Sequence, residues 1–170
     1  LSYKRRNKIA KKIGVFHQDF EAQYQTTTDF VSRMFENNLR DIEPYWVCLP
    51  MGSRCAVSNY QMYWYPWDPD KEELWVRPMP KMPYIINMDN NPFDFYRYKM
   101  VQEDLYAEFG EWYSRQKKGK TICLLGIRAD ESLNRYRAYA NDRKTIMQGN
   151  QWTTKMGENW WNAYPIYDWT

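Results

Sequence analysis

The chain has 170 residues, of which 44% are hydrophobic and 26% are charged. This balance is typical of a folded globular domain and excludes a disordered tail, a collagen-like fibre and a coiled coil. With 24 basic and 21 acidic residues, the net charge of +3 is too small for a general nucleic-acid-coating protein. We expect one α/β domain over residues 1–170. We also expect it to be truncated at both ends, because the chain opens on Leu1 and closes on an apolar segment.

The sequence lacks the features of a membrane or disulfide-rich protein. The longest strongly apolar run covers residues 122–127, far short of the ~18 residues that a membrane-spanning helix needs. Three scattered cysteines, Cys48, Cys55 and Cys123, form neither a disulfide framework nor a zinc motif. We therefore expect a cytoplasmic protein without a membrane segment.

Strands and helices alternate in the first part of the chain. Residues 3–12 are rich in Lys and Arg, which is typical of the last turns of a helix, and residues 13–16 form a short apolar strand. Apolar residues recur at helical spacing over residues 20–35 and predict a helix that ends near residues 37–38. The aromatic and β-branched residues 43–49 predict a second strand.

Residues 51–92 have a different composition. Seven of the nine prolines fall between positions 50 and 92, and aromatic residues crowd around positions 63–67. Such a composition is typical of loops and short elements rather than of long helices or strands. We expect an aromatic- and proline-rich insertion within the α/β domain.

The alternation resumes after the insertion. Apolar spacing over residues 98–112 predicts a long helix, and the continuous apolar run 121–127 predicts a strand that is covered on both faces. We then expect an arginine-rich helix over residues 130–139, an irregular stretch over 141–162 and a last strand over 163–166. This order predicts a parallel sheet flanked by helices.

Ligands of open α/β sheets bind beyond the carboxyl ends of the strands. Three segments follow predicted strands: residues 17–21, residues 126–135, and Asp168 with Trp169. In the second segment, guanidinium groups and a helix N-terminus would suit phosphate or sulfate oxygens. The alternative is that its arginines pair with the acidic side chains at positions 130, 131 and 142 on a solvated helix.

The first segment contains His17, the only histidine of the chain, which excludes a multi-histidine metal site. A structural role is the more frequent one for such a residue, and a general base is the alternative. Asp19 and Glu21 could bind a ribose hydroxyl or a Mg²⁺ ion. The alternative is that they stabilise the N-terminus of the following helix.

Two further patterns carry less information. Residues 119–121 imitate the end of a phosphate-binding P-loop, but they precede their strand instead of following one, so we reject that interpretation. The aromatic stretch 60–75 could stack nucleobases. Because no basic stripe runs between its rings, we expect it to be the packed core of the insertion or a partner surface.

Three segments resemble motifs of the phosphoadenosine phosphosulfate (PAPS) reductase-like family. Residues 13–24 resemble its second-strand motif, and Gly126-Ile127-Arg128, followed by Ser132 and Arg135, resembles its Gly-x-Arg-x-x-x-Ser-x-x-Arg segment. The ending at residues 164–169 resembles its Pro-x-x-Asp-Trp motif. The order and spacing agree over nearly the whole chain. The insertion is similar to that of a branch found in bacteria and their mobile elements, some of whose members are encoded beside a ParB-like partner.

The resemblance implies an adenine nucleotide alpha-hydrolase-like, Rossmann-like fold that binds ATP or PAPS across the strand ends. The family's Ser-Gly-Gly-x-Asp-Ser phosphate loop is not in this sequence, so we expect it upstream of Leu1. The reductases' Glu-Cys-Gly-x-His motif is also not in it. The implied nucleotide-binding residues are His17, Asp19, Glu21, Gly126, Arg128, Ser132, Arg135, Asp168 and Trp169. We expect the turns around residues 19 and 128 to converge on one pocket at one edge of the sheet.

Three functions follow from the resemblance. The first is ATP chemistry in the full-length protein, in which a transferase adenylates an acceptor and releases pyrophosphate, with Mg²⁺ as a candidate cofactor. The second is a non-catalytic nucleotide-sensing module that holds a protein partner, such as a ParB-like protein, through the insertion. The third is PAPS reduction with an external thiol. Direct DNA binding through the basic residues between Lys4 and Lys12 is a weaker hypothesis, and the alternative is that they form one solvated helix face. The oligomeric state stays open.

Overall fold

The structure, a computed structural model, describes residues 1–169 of a mixed α/β protein. The chain divides into two compact units. The first comprises residues 1–92 and 97–101, and the second comprises residues 93–96 and the chain from residue 102 onward. The whole insertion, residues 51–92, belongs to the first unit. The single domain expected from the sequence stays a prediction.

The first unit is built around a three-stranded parallel sheet. Its elements are α1 (Ser2–Arg6), β1 (Ile13–Gln18), α2 (Gln25–Glu36), β2 (Ile42–Val47), β3 (Ser53–Arg54), β4 (Tyr63–Trp64), a 3-10 helix (Pro69–Leu74) and β5 (Ile85–Ile86). The strand order is β1-β2-β5, and both pairings are parallel. The strands and helices expected over residues 3–49 are confirmed in kind and order. Helix α2 begins later than its apolar spacing predicts, because the chain first turns through residues 19–24.

The core of the first unit lies between one face of this sheet, α2 and the insertion. Its central residue is Trp46, which is fully buried and packs edge-to-face on Phe35 of α2 with ring centroids 5.7 Å apart. Burial of a large apolar side chain stabilises a fold by ~1.5–3 kcal/mol. Trp67 from the insertion is also buried in this core, so the insertion is part of the unit's packing rather than an appendage.

The basic N-terminal segment is partly used for packing. Lys4 of α1 is buried, and its Nζ lies 3.0 Å from Oδ1 of Asp41, while Nε of Arg5 lies 2.7 Å from Oδ2 of the same carboxylate. The interpretation of this cluster as one solvated helix face is therefore wrong for Lys4. The helix itself ends at Arg6, earlier than the basic run predicts.

The second unit contains a second three-stranded sheet. Its elements are α3 (Gln102–Lys117), β6 (Thr121–Leu124), α4 (Leu133–Ala140), β7 (Thr153–Lys155) and β8 (Trp160–Ala163), with strand order β6-β8-β7. Strands β6 and β8 are parallel, and β7 is antiparallel to β8. Helices α3 and α4 are confirmed.

Three sequence expectations for the second unit are wrong. The stretch 141–162 is not irregular, because it contains β7 and most of β8, whose Thr, Lys and Asn residues hide the strand pattern. The last strand ends at Ala163 instead of beginning there. Strand β6 is not covered on both faces, because Ile122 is 49% and Leu124 is 69% exposed.

Helix α3 packs closely on the second sheet at a glycine. A Cβ atom on Gly110 would lie 2.5 Å from Cδ2 of Trp160, so only the absence of a side chain allows the indole to approach. Phe93 packs edge-to-face on Phe109 and Trp112 of the same helix, with centroids 5.7 and 5.0 Å apart. Over residues 1–169, no helix is both long and apolar enough to span a membrane.

Candidate ligand-binding site

The acidic turn that follows β1 is buried and fully engaged. Asp19 has no exposed surface, and its two carboxylate oxygens accept hydrogen bonds from Nη2 of Arg77 at 2.5 and 2.6 Å. Oδ2 also accepts from Nε1 of Trp46 at 2.8 Å, and Oδ1 accepts from the backbone N–H of Glu21 at 2.8 Å. A buried carboxylate is tolerated when charged and polar donors surround it in this way.

Glu21 binds the insertion from the same turn. Its Oε2 accepts from the backbone N–H of Trp67, and its Oε1 accepts from the backbone N–H of Val76, both at 2.8 Å. Its own carbonyl accepts from Nε of Arg77 at 2.9 Å, and the indole Nε1 of Trp67 donates to the carbonyl of Asp19 at 2.9 Å. We call Asp19, Glu21, Trp67 and Arg77 the acidic anchor, because together they fasten the insertion to the end of β1.

The acidic anchor leaves no free carboxylate for a ligand. Each oxygen of Asp19 and Glu21 already accepts from N–H donors, and a guanidinium lies beside Asp19, so a Mg²⁺ ion does not fit these two residues. The helix-stabilising alternative is also wrong, because α2 begins at Gln25 and no side chain caps it. Within residues 1–169, no three His, Cys, Asp or Glu side chains are grouped so that they could hold a metal ion.

His17 lies on β1 beside the anchor, with its ring edge-to-face on Trp46 at 5.0 Å between centroids. Burial lowers the pKa of His17 below 6.5; the Asp19 carboxylate opposes this effect, and the Arg77 guanidinium adds to it. Its Nε2 is buried without a hydrogen-bond partner, as are both amide atoms of the neighbouring Gln18. The histidine is therefore a neutral, packed ring at pH 7.

An open pocket of about 430 Å³ lies directly after β1, beside the acidic anchor. Its lining combines residues of the turn and of α2 with residues of the insertion: Phe20, Ala22, Gln23, Tyr24, Thr27, Trp64 and Val76. The rings of Phe20 and Trp64 lie 6.2 Å apart at an angle of 41°, and Tyr24 is 84% exposed. We call this the ring pocket. Its position at the carboxyl end of a parallel strand is where ligands of α/β sheets bind.

Sequence reasoning did not identify the ring pocket as a unit. Its lining comes from two stretches about 40 residues apart, within residues 20–27 and 64–76. The aromatic stretch 60–75 indicated that rings could stack on a ligand. Nothing in the sequence predicted that this stretch lies beside residues 20–27. The acidic anchor supplies that placement, because Glu21 accepts a hydrogen bond from the backbone of Val76.

The arginine segment after β6 lies in the second unit. Ser132 caps α4, its hydroxyl accepting from the backbone N–H of Arg135 at 3.2 Å. Nε of Arg128 lies 3.4 Å from Asp130 and 3.5 Å from Glu131, and Arg135 also pairs with Glu131. The pairing of these arginines with acidic neighbours is therefore confirmed for residues 130 and 131. Anion binding here stays a prediction, and an anion would have to compete with Glu131.

The chain ending lies beside the arginine segment. The backbone N–H of Ala129 donates to the carbonyl of Tyr167 at 2.8 Å, and a methyl group of Ile166 lies near Gly126. Asp168 and Trp169 follow on the surface, and Trp169 is 63% exposed. The structure thus brings two of the three family-like segments together. Convergence of the turns around residues 19 and 128 on one pocket stays a prediction.

No family model matches the chain, and no solved structure matches it. The chain is similar to the uncharacterized protein YbdN of Escherichia coli (strain K12), with 38% identity over 164 residues. The matched region is 95% of this chain but 39% of YbdN, so the chain spans less than half of that relative's length. The comparison gives the chain a bacterial relative and carries no activity over to it.

Two of the three cysteines, Cys48 and Cys123, are poorly suited to thiol chemistry. Burial raises the pKa of Cys48 far above its ordinary value, and the Asp19 carboxylate raises it further. Burial also raises the pKa of Cys123 on β6. Because the thiolate is the nucleophilic form, neither residue supplies a reactive sulfur near neutral pH.

Proposed function

We propose that this protein is a PAPS reductase-like protein that binds an adenine nucleotide at the carboxyl end of the first unit's parallel sheet. The observation that carries the proposal is the ring pocket, an aromatic-walled opening placed directly after β1. Its volume of about 430 Å³ is in the range of ~300–1,000 Å³ that small-molecule sites occupy. The motif resemblance at residues 13–24 supports the same ligand class.

In the full-length protein, the proposed reaction is nucleotidyl transfer. An oxygen nucleophile of the acceptor attacks the α-phosphorus of ATP, the bond from this phosphorus to the bridging oxygen breaks, and pyrophosphate leaves. Such catalysis consists mostly of positioning and charge neutralisation. Reduction of PAPS with an external thiol is the weaker alternative, because the sequence lacks the reductases' Glu-Cys-Gly-x-His motif.

The test is equilibrium binding of ATP, AMP and PAPS to the purified chain, followed by pyrophosphate release from the full-length protein. If neither ATP nor PAPS binds at millimolar concentration, the proposal is wrong.

A second candidate function is a regulatory module that holds a protein partner. Its support is a set of strongly exposed apolar side chains on the insertion: Val57, Tyr60, Met62 and Leu74, which are 96%, 101%, 72% and 69% exposed. Exposed apolar surface of this kind is typical of interaction sites. If a Val57→Ser/Tyr60→Ser variant loses a co-encoded ParB-like partner but keeps its nucleotide affinity, this function is supported. Retention of the partner would contradict it.

A further inference from the structure

We infer that the ring pocket binds the uncharged planar ring of the ligand, which is the adenine base if the proposed function is right. The phosphates of the nucleotide would then lie outside this pocket. Trp64, a residue of the insertion, is thereby assigned to ligand recognition.

The first argument is the chemistry of the lining. None of the seven residues that line the pocket is charged, and three of them are aromatic. A phosphate group would find no cation in this lining to offset its desolvation, whereas a flat ring would find the faces of Phe20 and Trp64. Gln23 and Thr27 place polar groups beside these apolar walls, which suits a heteroaromatic ring with hydrogen-bonding edges.

The second argument is that the walls are held in place before a ligand arrives. Phe20 lies between Asp19 and Glu21, whose carboxylates are fixed by the acidic anchor. The backbone N–H of Val76, another lining residue, donates to Oε1 of Glu21 at 2.8 Å. Because these contacts are made within the protein, Phe20 and Val76 are held in place before a ligand binds, and preorganisation of this kind lowers the entropic cost of binding.

The third argument is that the rings are available. Phe20 and Trp64 are tilted at 41° with centroids 6.2 Å apart, so they do not stack face to face on one another. Tyr24 is 84% exposed beside them. Base–aromatic stacking tolerates different bases, so the expected specificity is for a flat ring and depends on the edge groups for discrimination.

The experiment measures the affinity of the purified chain for adenosine, which has the base but no phosphate. Trp64→Leu should weaken adenosine binding by about tenfold or more, the usual loss when a stacking ring is removed. Trp64→Phe keeps a ring and should retain most of the affinity, which separates stacking from a folding defect. Tyr60→Leu is the matched control, because Tyr60 is fully exposed on the same insertion and does not line the pocket.

Two outcomes of the adenosine titration would overturn the inference: no binding of adenosine at millimolar concentration, or equal binding by the Trp64→Leu variant. Competition between indole and adenosine provides a further test. If indole competes with adenosine and binds as tightly, the pocket recognises any apolar ring and the assignment to a nucleobase is wrong. Weak binding of indole supports the assignment.

Titration with ATP separates this inference from the proposed function. If ATP binds and the Trp64→Leu variant binds it equally well, the ring assignment fails while nucleotide binding stands. If adenosine binding depends on Trp64 but PAPS and ATP fail to bind, the ring assignment stands and the proposed function fails.

Discussion

The buried pair of Asp19 and Arg77 allows the sharpest test of how the insertion is held. Asp19→Asn keeps the shape of the side chain but removes its charge. The guanidinium of Arg77, with 14% of its side chain exposed, is then left without a counter-ion, and the indole of Trp46 competes for a single carbonyl oxygen. Removal of one partner of a buried ion pair typically costs ~3–5 kcal/mol.

A loss of this size is a large fraction of the ~5–15 kcal/mol by which ordinary domains are stable. We therefore expect Asp19→Asn to lower the midpoint of urea-induced unfolding clearly, as monitored by tryptophan fluorescence. The double variant Asp19→Asn/Arg77→Met should lose less than the sum of the single variants, because the unpaired charge is gone. The expected coupling energy is ~1–3 kcal/mol.

The control is the exposed pair of Asp94 and Arg115, whose side chains are 66% and 62% exposed and lie 3.1 Å apart. Such surface pairs contribute ~0–1 kcal/mol, so Asp94→Asn should have little effect on the free energy of unfolding. If Asp19→Asn destabilises no more than Asp94→Asn, the description of the acidic anchor as the fastening of the insertion is refuted.

Three further predictions concern single residues. The NMR signal of His17, the only histidine, should titrate with a midpoint below pH 6.5, because burial lowers its pKa. Protonation of His17 then favours the unfolded chain, so the free energy of unfolding should fall as the pH drops below about 6.5. A midpoint above 6.5 would contradict burial as the dominant effect on this pKa. Iodoacetamide at pH 8 should modify the partly exposed Cys55 before the buried Cys48, as followed by peptide mass spectrometry, and the reverse order would be inconsistent with the raised pKa of Cys48. Gly110→Ala should destabilise the protein in thermal unfolding by ~1–3 kcal/mol, because the new methyl group overlaps the indole of Trp160; an unchanged melting temperature would argue against this packing.

The local patterns of the chain predicted its regular elements well wherever apolar spacing was strong. Strand β1 follows from a short apolar run, helix α2 from apolar residues at helical spacing, and strand β2 from its aromatic and β-branched residues. Strands β7 and β8 were missed, since polar residues such as Asn162 interrupt their apolar pattern and pairing between the strands overrides it.

The sequence identified the turn at residues 19 and 21 as a special feature but not what it does. Two acidic residues after a strand suit a ligand, a metal or a helix N-terminus equally well in a linear pattern. The deciding partner, Arg77, is 58 positions away from Asp19, and no local pattern connects them. Contacts between residues so far apart in the sequence decide whether a carboxylate is available to a ligand. The role of such a residue therefore depends on the tertiary fold.

The central claim is that a nucleotide places its base in the ring pocket, against the rings of Phe20 and Trp64. Photo-crosslinking with 8-azidoadenosine tests it most directly, since the azide reacts from the base itself and the labelled peptide can be identified by mass spectrometry. The account predicts label on the peptides that contain Tyr24 or Trp64, with protection by unlabelled adenosine. Protectable label confined to peptides outside residues 20–27 and 64–76 would contradict it.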